Sequence, residues 1–346
     1  MPHQRFPKIE ITYLRPHEMH FVLSETDVSV ANTLRRIMIA EVPTIAIDLV
    51  EFSLNNTKLQ DEYLAHRLGL IPIRYTGPPS AEGAGGASAG EARGVDPVGT
   101  FVDHRECTCT DRCNRCSVEF SLDVNYEEEM EAAGVTQGDG EDAGGLADRT
   151  LPLTVTSQKL ISNHEHVSPA HFMSVEENDV SHDEGVSIVK IGPGQALRLH
   201  AIARIGISKE HAKWCPVAVA TYRFWPIVTL DQEQISTLSI KQRQQLVDIC
   251  PDRILTIDEA TGEVGVAENF HEIATFTEDL EVFQKTLKRR PEDPDFVTVV
   301  PADDVFLFYL ESTGCMDAQE ILTSALRVLR SKLFTLSQNV YDLKDM

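Results

Sequence analysis

The chain is 346 residues long and 42% hydrophobic, enough for about two domains with substantial cores. With 54 acidic side chains against 31 basic ones its formal charge is -23, and a surface that negative repels phosphate, so contact with DNA or RNA is expected to be indirect and the partners to be proteins. No run approaches the ~18 apolar residues that span a bilayer, and seven cysteines, four of them crowded together, do not make a secreted disulfide framework.

Residues 1–11 lack the apolar core of a signal peptide, which with the cysteine usage predicts an intracellular chain without a membrane segment. Ile9, Ile11 and Tyr13 then alternate with polar residues, Arg15-Pro16-His17-Glu18 makes a turn, and Met19 to Leu23 return as the second arm of a hairpin. Thr26 or Asp27 can cap a helix with Val30, Leu34, Ile37 and Met38 on its apolar face. Pro43 ends that helix, and Ile45, Ile47 and Leu49 begin a strand. Residues 61–70 read as a short helix. Residues 77–99 change to Gly, Ala, Ser and Pro, too few large apolar groups to offset the entropy of ordering, so a mobile insertion is expected there. A second break is expected over the Glu-, Asp- and Gly-rich residues 127–148. Between the two lies a strand at 117–124, with Val118, Phe120, Leu122 and Val124 on one face. Further strands are predicted at 151–157, 186–191, 197–205 and 217–225, a helix at 238–249, a strand at 305–310 and a long helix at 318–344. The fold class is α+β, with a β-rich middle and no internal repeat.

Cys107, Cys109, Cys113 and Cys116 form a C-x-C-x3-C-x2-C loop. Four thiols this close can converge on one ion at metal–sulfur distances of ~2.3 Å. The Cys113/Cys116 half has the two-residue gap of zinc knuckles. The Cys107/Cys109 half is tighter, which leaves an iron–sulfur cluster open behind structural Zn2+. With four protein ligands no open coordination position remains for catalysis. Arg105, Arg112 and Arg115 are placed to neutralise the excess negative charge of four thiolates. Cys215, Cys250 and Cys315 are isolated and read as small buried hydrophobes.

The last helix, about 40 Å long over residues 318–344 at 1.5 Å per residue, carries Leu322, Leu326, Leu329, Leu333, Leu336, Val340 and Leu343 at spacings of 4, 3, 4, 3, 4 and 3, a heptad seam. It reads either as a core helix of its own domain or as a partner interface. The second reading has a physical motive, because each exposed Leu forgoes ~1.5–3 kcal/mol. An enzyme is not required. There is no Walker A loop, no Gly-x-Ser-x-Gly, no His-Glu-x-x-His and no aspartate triad for polymerase magnesium. His164, His166 and His171 lack an acidic or Cys partner and read as solvated surface. Asp61-Glu62 and His66-Arg67 fit ordinary charge pairs on a short helix.

Several strings then coincide in order. These are Asn32-Thr33-Leu34-Arg35-Arg36 leading to Glu41-Val42-Pro43-Thr44-Ile45-Ala46-Ile47-Asp48, then Asp61 through Pro72, then Lys209-Glu210-His211-Ala212-Lys213-Trp214, then Glu311-Ser312-Thr313-Gly314. With the four-cysteine loop, they make nearly the whole chain resemble the third-largest-subunit family of eukaryotic RNA polymerase II, among the α-like polymerase subunits that have an archaeal counterpart and the bacterial α N-terminal domain as relatives. The resemblance implies a discontinuous dimerisation domain, residues 1–48 plus 221–346, and an inserted β-rich domain, 49–220, carrying a zinc loop. It implies a nuclear, non-catalytic scaffold for mRNA transcription whose active site lies on other chains. The heptad seam would pair with the small α-like subunit. Arg35, Arg36, His66 and Arg67 would contact the second-largest subunit, and two small zinc-containing subunits would complete the platform. The family member shared by polymerases I and III lacks the cysteine loop, which favours polymerase II. The segment 224–305 looks more like plant-type sequences, so the equivalent subunit of a plant-type polymerase IV or V stays open.

Overall fold

The computed structural model describes residues 6–77, 100–132, 152–170, 185–249, 255–258, 262–266, 277–287 and 295–344. The insertion expected at 77–99, apart from Gly77, lies outside them, as do residues 133–148 of the second expected break, Cys250 and His171. In chain order the elements are β1 (Lys8–Leu14), β2 (Glu18–Ser24), α1 (Val28–Ala40), β3 (Pro43–Asn55), α2 (Asp61–Gly69), β4 (Ile73–Tyr75), β5 (Val118–Asn125) and α3 (Tyr126–Ala132). There follow β6 (Leu153–Thr156), β7 (Ile161–Ser162), β8 (Val167–Pro169), β9 (Ser187–Ile191), β10 (Ala196–Ile207) and β11 (Val217–Leu230). The last are α4 (Gln232–Ser236), α5 (Ile240–Ile249), β12 (Leu255–Ile257), β13 (Val264–Val266), α6 (Thr277–Leu287), β14 (Val297–Ser312) and α7 (Ala318–Lys344). No helix among the described residues is long and apolar enough to cross a membrane. This is a mixed α+β chain with several sheets, as the sequence leads one to expect.

The chain forms two compact units. The first comprises Met1–Tyr13, His20–Thr33 and Thr221–Tyr309. Its strands follow the order β1-β2-β14-β11. Phe21 stacks on Phe308 with ring centroids 4.7 Å apart, and Tyr222 and Phe224 close on Phe306 at 5.6 and 5.4 Å. Cross-strand aromatic contacts of this kind hold adjacent strands together beyond their area burial. A second cluster, around Ile235, Leu238, Leu246, Leu255, Val264 and Leu280, is assembled by α4, α5, the β12–β13 hairpin and α6. The cap of α1 is Asp27, whose Oδ1 accepts from the backbone of Ser29 and Val30 at 3.1 and 3.2 Å.

The second unit comprises Leu14–Met19, Leu34–Ala220 and Leu310–Met346. Its main sheet runs β3-β10-β5-β7, with β10 pairing antiparallel to both neighbours so that Ala201 lies between Val50 and Phe120. On β5 every second residue, Val118, Phe120, Leu122 and Val124, is buried, the period-2 pattern read from the sequence. Leu64 and Leu68 of α2 join the same core. The turn into α7 depends on Gly314 at φ +91°, where its amide donates to Ser312 Oγ at 2.9 Å and Thr313 Oγ1 donates to the carbonyls of Cys215 and Pro216. Trp214 is laid flat on Gly206: a Cβ at Gly206 would fall 2.5 Å from the indole.

Several elements differ from the sequence expectation. The acidic stretch after residue 125 begins as helix α3, because Tyr126 is buried and Glu127, Glu128 and Glu129 suit the positive N-terminal end of a helix. Strand β14 starts eight residues earlier than its apolar end suggested, since its first half alternates with exposed polar residues. Val30, placed on the apolar face of α1, is exposed, as is Leu49 on β3. The short elements β4, β7, β8, β12, β13, α4 and α6 did not stand out by periodicity.

Candidate metal centre and docking surfaces

The cysteine loop is closed at its base by the Val102 amide donating to the Arg115 carbonyl at 2.9 Å. At one end a turn lets Asp103 O accept from the amides of Glu106 and Cys107 at 3.0 and 3.1 Å. At the other, Cys113 O accepts from the amides of Cys116 and Ser117, both at 3.0 Å. These two turns aim the side chains inward. The sulfurs of Cys107 and Cys113 are 3.6 Å apart, those of Cys109 and Cys116 3.6 Å, and those of Cys113 and Cys116 3.7 Å. All four lie within 4.8 Å of one another, and none forms a disulfide. A tetrahedron with metal–sulfur bonds of ~2.3 Å has edges of ~3.8 Å, so the thiols already stand near the corners a single ion needs.

The electrostatics point the same way. The amide of Arg115, ahead of that of Cys116, donates to Cys113 and holds its thiol down at about 7. Cys109 is pushed up to about 12, first by its hydrogen bond to Cys107 and then by burial. Burial raises Cys116. Four crowded thiols cannot all ionise without a counter-charge, and a divalent cation supplies one. Two of the three arginines are not where the sequence placed them. Arg105 forks onto Glu210 at 2.5 and 2.9 Å, and Arg112 reaches Glu51 at 3.4 Å with Asp111 and Glu119 each at 3.7 Å. Carboxylates claim these two guanidinium groups, and Arg115 contributes its amide. A residue the pattern missed, His104, sits with Nδ1 3.9 Å from Cys116 Sγ. No ligand spacing in the sequence marks it.

On α7 the heptad seam divides. Leu322 is buried with Ile321 and Ala325, Leu329 is half-buried, and Leu326 is exposed. Leu333, Leu336 and Val340 are 57%, 60% and 45% exposed. Lys332 Nζ pairs with Glu41 at 2.7 Å. The side chain of Leu343 lies outside the described residues.

The four expected docking residues lie on two helices. Arg35 is half-buried and Arg36 exposed on α1; His66 is exposed on α2, its ring 6.5 Å edge-on from that of His211. Arg67 is held within the fold, Nε donating to Ile188 O at 2.9 Å and Nη2 to Ser187 O at 2.7 Å. Lys213 binds Asp48 at 2.6 Å and lies 4.3 Å from the Trp214 ring centre, while Thr44 Oγ1 donates to Trp214 O at 2.8 Å. The Lys209–Trp214 string thus staples its own loop to β3. His164 and His166 are not solvated surface: with Tyr75 and Phe101 they form an aromatic cluster, the rings of Phe101 and His164 5.5 Å apart. Burial lowers the His164 pKa. Cys315 is buried, as read, and burial pushes its thiol up to about 11, whereas Cys215 is half-buried.

Residues 20–333 match the family model described as the RNA polymerase Rpb3/Rpb11 dimerisation domain. The chain is 35% identical over 334 residues to DNA-directed RNA polymerase II subunit rpb3 of Dictyostelium discoideum, covering 95% of this chain and 93% of that one. It is 36% identical over 335 residues to the Arabidopsis thaliana protein DNA-directed RNA polymerases II, IV and V subunit 3, covering 96% and 90%. It is 35% identical over 346 residues to the Arabidopsis DNA-directed RNA polymerases IV and V subunit 3B, covering 99% and 95%. With a family model spanning most of its length and relatives aligned nearly end to end, the chain belongs to the family of RNA polymerase subunits that share the Rpb3/Rpb11 dimerisation domain.

Proposed function

We propose that the chain is a non-catalytic assembly subunit of nuclear DNA-directed RNA polymerase II, pairing with a small α-like subunit and docking the second-largest subunit. The observation that carries this is the half-exposed seam of α7 in a chain whose match is to a dimerisation domain. An apolar row that leaves its own core and continues into solvent is stabilised by a partner helix that continues the seam. In this reading residues 1–48 with 221–346 make the dimerisation domain and 49–220 the inserted domain. Arg35, Arg36 and His66 offer polar contacts to the large subunit, while Arg67 shapes the surface from within. Two small zinc-containing subunits complete the platform. The phosphodiester chemistry belongs to the assembled polymerase.

The four cysteines fit a structural Zn2+. One ion bound by Cys107, Cys109, Cys113 and Cys116 supplies a cross-link that the loop's two turns cannot supply alone. The thiol separations suit a single ion better than an iron–sulfur cluster, whose cysteines bind different irons and stand farther apart. Co-expression tests the scaffold reading. The chain alone is expected to aggregate and to become soluble as a heterodimer with the small α-like subunit. A well-behaved monomer at high concentration, indifferent to that subunit, overturns it. A second reading, membership of a plant-type polymerase IV or V, is favoured by the Arabidopsis subunit 3B being as similar as the polymerase II relatives. Mass spectrometry of the native complex recovered through this chain separates the two by which largest subunits come with it.

A further inference from the structure

We propose that His104 is a positioning residue of the metal centre, donating its Nδ1 hydrogen to the Cys116 sulfur; this rests on the reading of the four cysteines as a zinc site. Cys116 is the buried member of the set, 1% exposed, so its sulfur has the least help from water. A thiolate withdrawn from water needs a donor from the protein. Cys113 has the amides of Arg115 and Cys116, Cys116 has the amide of Cys113, and Arg105 and Arg112 are bound to carboxylates, so what the buried sulfur still lacks from these groups is a side-chain donor. His104 is the side chain that reaches Cys116 from outside the ligand set, at 3.9 Å, within range of an N–H···S bond to the large sulfur atom.

Its placement is built rather than incidental. The bond from Val102 N to Arg115 O lays the entry of the loop beside its exit, bringing residue 104 alongside residue 116. Asp103 then fixes the turn, its carboxylate accepting from the Arg105 amide at 2.9 Å while its carbonyl accepts from Glu106 and Cys107. The His104 carbonyl also accepts from the Cys107 amide at 3.3 Å, so the turn that orients His104 delivers the first ligand as well. Four thiolates on a divalent ion leave two surplus negative charges. A donor on the most enclosed sulfur draws off part of that charge and fixes the direction of its lone pair.

The test uses the full-length chain, co-expressed with the small α-like subunit, and zinc itself. His104→Leu is expected to lower zinc affinity ~10-fold in competition with a chromophoric chelator. It is also expected to shift the thiolate-to-metal charge-transfer band of the Co2+-loaded chain. His104→Asn, whose amide nitrogen stands where Nδ1 does, should restore both readings. His104→Gln, whose amide nitrogen stands at the Nε2 position, should not. The Asn/Gln contrast decides the matter even if the Leu variant folds poorly: equal behaviour of the two overturns the proposal, as does a Leu variant with wild-type affinity and band. A wild-type chain that takes up no zinc fails the metal reading itself, whereas one zinc per wild-type chain with indifferent His104 variants fails only the role of His104.

Discussion

Truncating Leu333 and Leu336 together to Ala separates partner binding from folding on a single helix. The two side chains are 57% and 60% exposed, so the fold of this chain gains little from them. Burying a whole Leu is worth ~1.5–3 kcal/mol, and somewhat more than half of that remains to be gained on pairing. The pair thus contributes about 2–3 kcal/mol to association, or a ~30- to 200-fold change in Kd. The comparison is Leu322→Ala, about three turns before Leu333 on the same seam. Leu322 is 6% exposed, and its truncation should cost ~2–5 kcal/mol of stability through the cavity it leaves. Urea unfolding of the heterodimer and its dissociation followed by sedimentation give the two numbers. The double variant should weaken association and leave the intrinsic fold of the chain unchanged, and Leu322→Ala should lower the unfolding midpoint. If Leu333→Ala/Leu336→Ala assembles with unaltered Kd, the seam is not the interface and the reasoning fails.

Zinc should be present at one per chain, and Cys116→Ser should abolish it more completely than Cys107→Ser, because the buried ligand cannot be replaced by water as easily; metal analysis of the purified variants checks the order. Zinc retention should fall as pH falls, since the metal displaces thiol protons, and most steeply below about 7, where Cys113, otherwise held ionised by backbone amides, is protonated too. Equilibrium dialysis against a chelator over pH 5–8 reads this, and a flat profile would count against thiolate ligation. Gly206→Ala puts a Cβ 2.5 Å from the Trp214 indole and should destabilise by ~1–3 kcal/mol, seen as a lower midpoint for the red shift of Trp fluorescence on unfolding. Arg67→Lys should lose one of the two bonds to the Ile188 and Ser187 carbonyls and cost ~1–3 kcal/mol in folding, whereas a residue acting only in docking would leave the isolated stability untouched.

Period and spacing carried much of the fold and the four-cysteine cluster in the sequence. The alternation of Val118, Phe120, Leu122 and Val124, the 4-3 spacing along α7 and the cysteines of a ten-residue loop each act over neighbours in the chain, where geometry follows directly from residue order. Tertiary structure decided what those patterns meet. One unbroken heptad row is buried at Leu322 and open at Leu333, because only the first turns of α7 lie against the core of their unit. Arg67, read as a docking group, is spent on the carbonyls of β9, 120 residues away in the chain. Arg105 and Arg112 turn from the sulfurs to Glu210 and Glu51. His104 arrives at Cys116 because a backbone bond between Val102 and Arg115 folds the loop on itself. Residue order thus determined the longer elements and the four thiols. Which charge answers which, and which half of the last helix is left exposed, depend on long-range packing that no local period encodes.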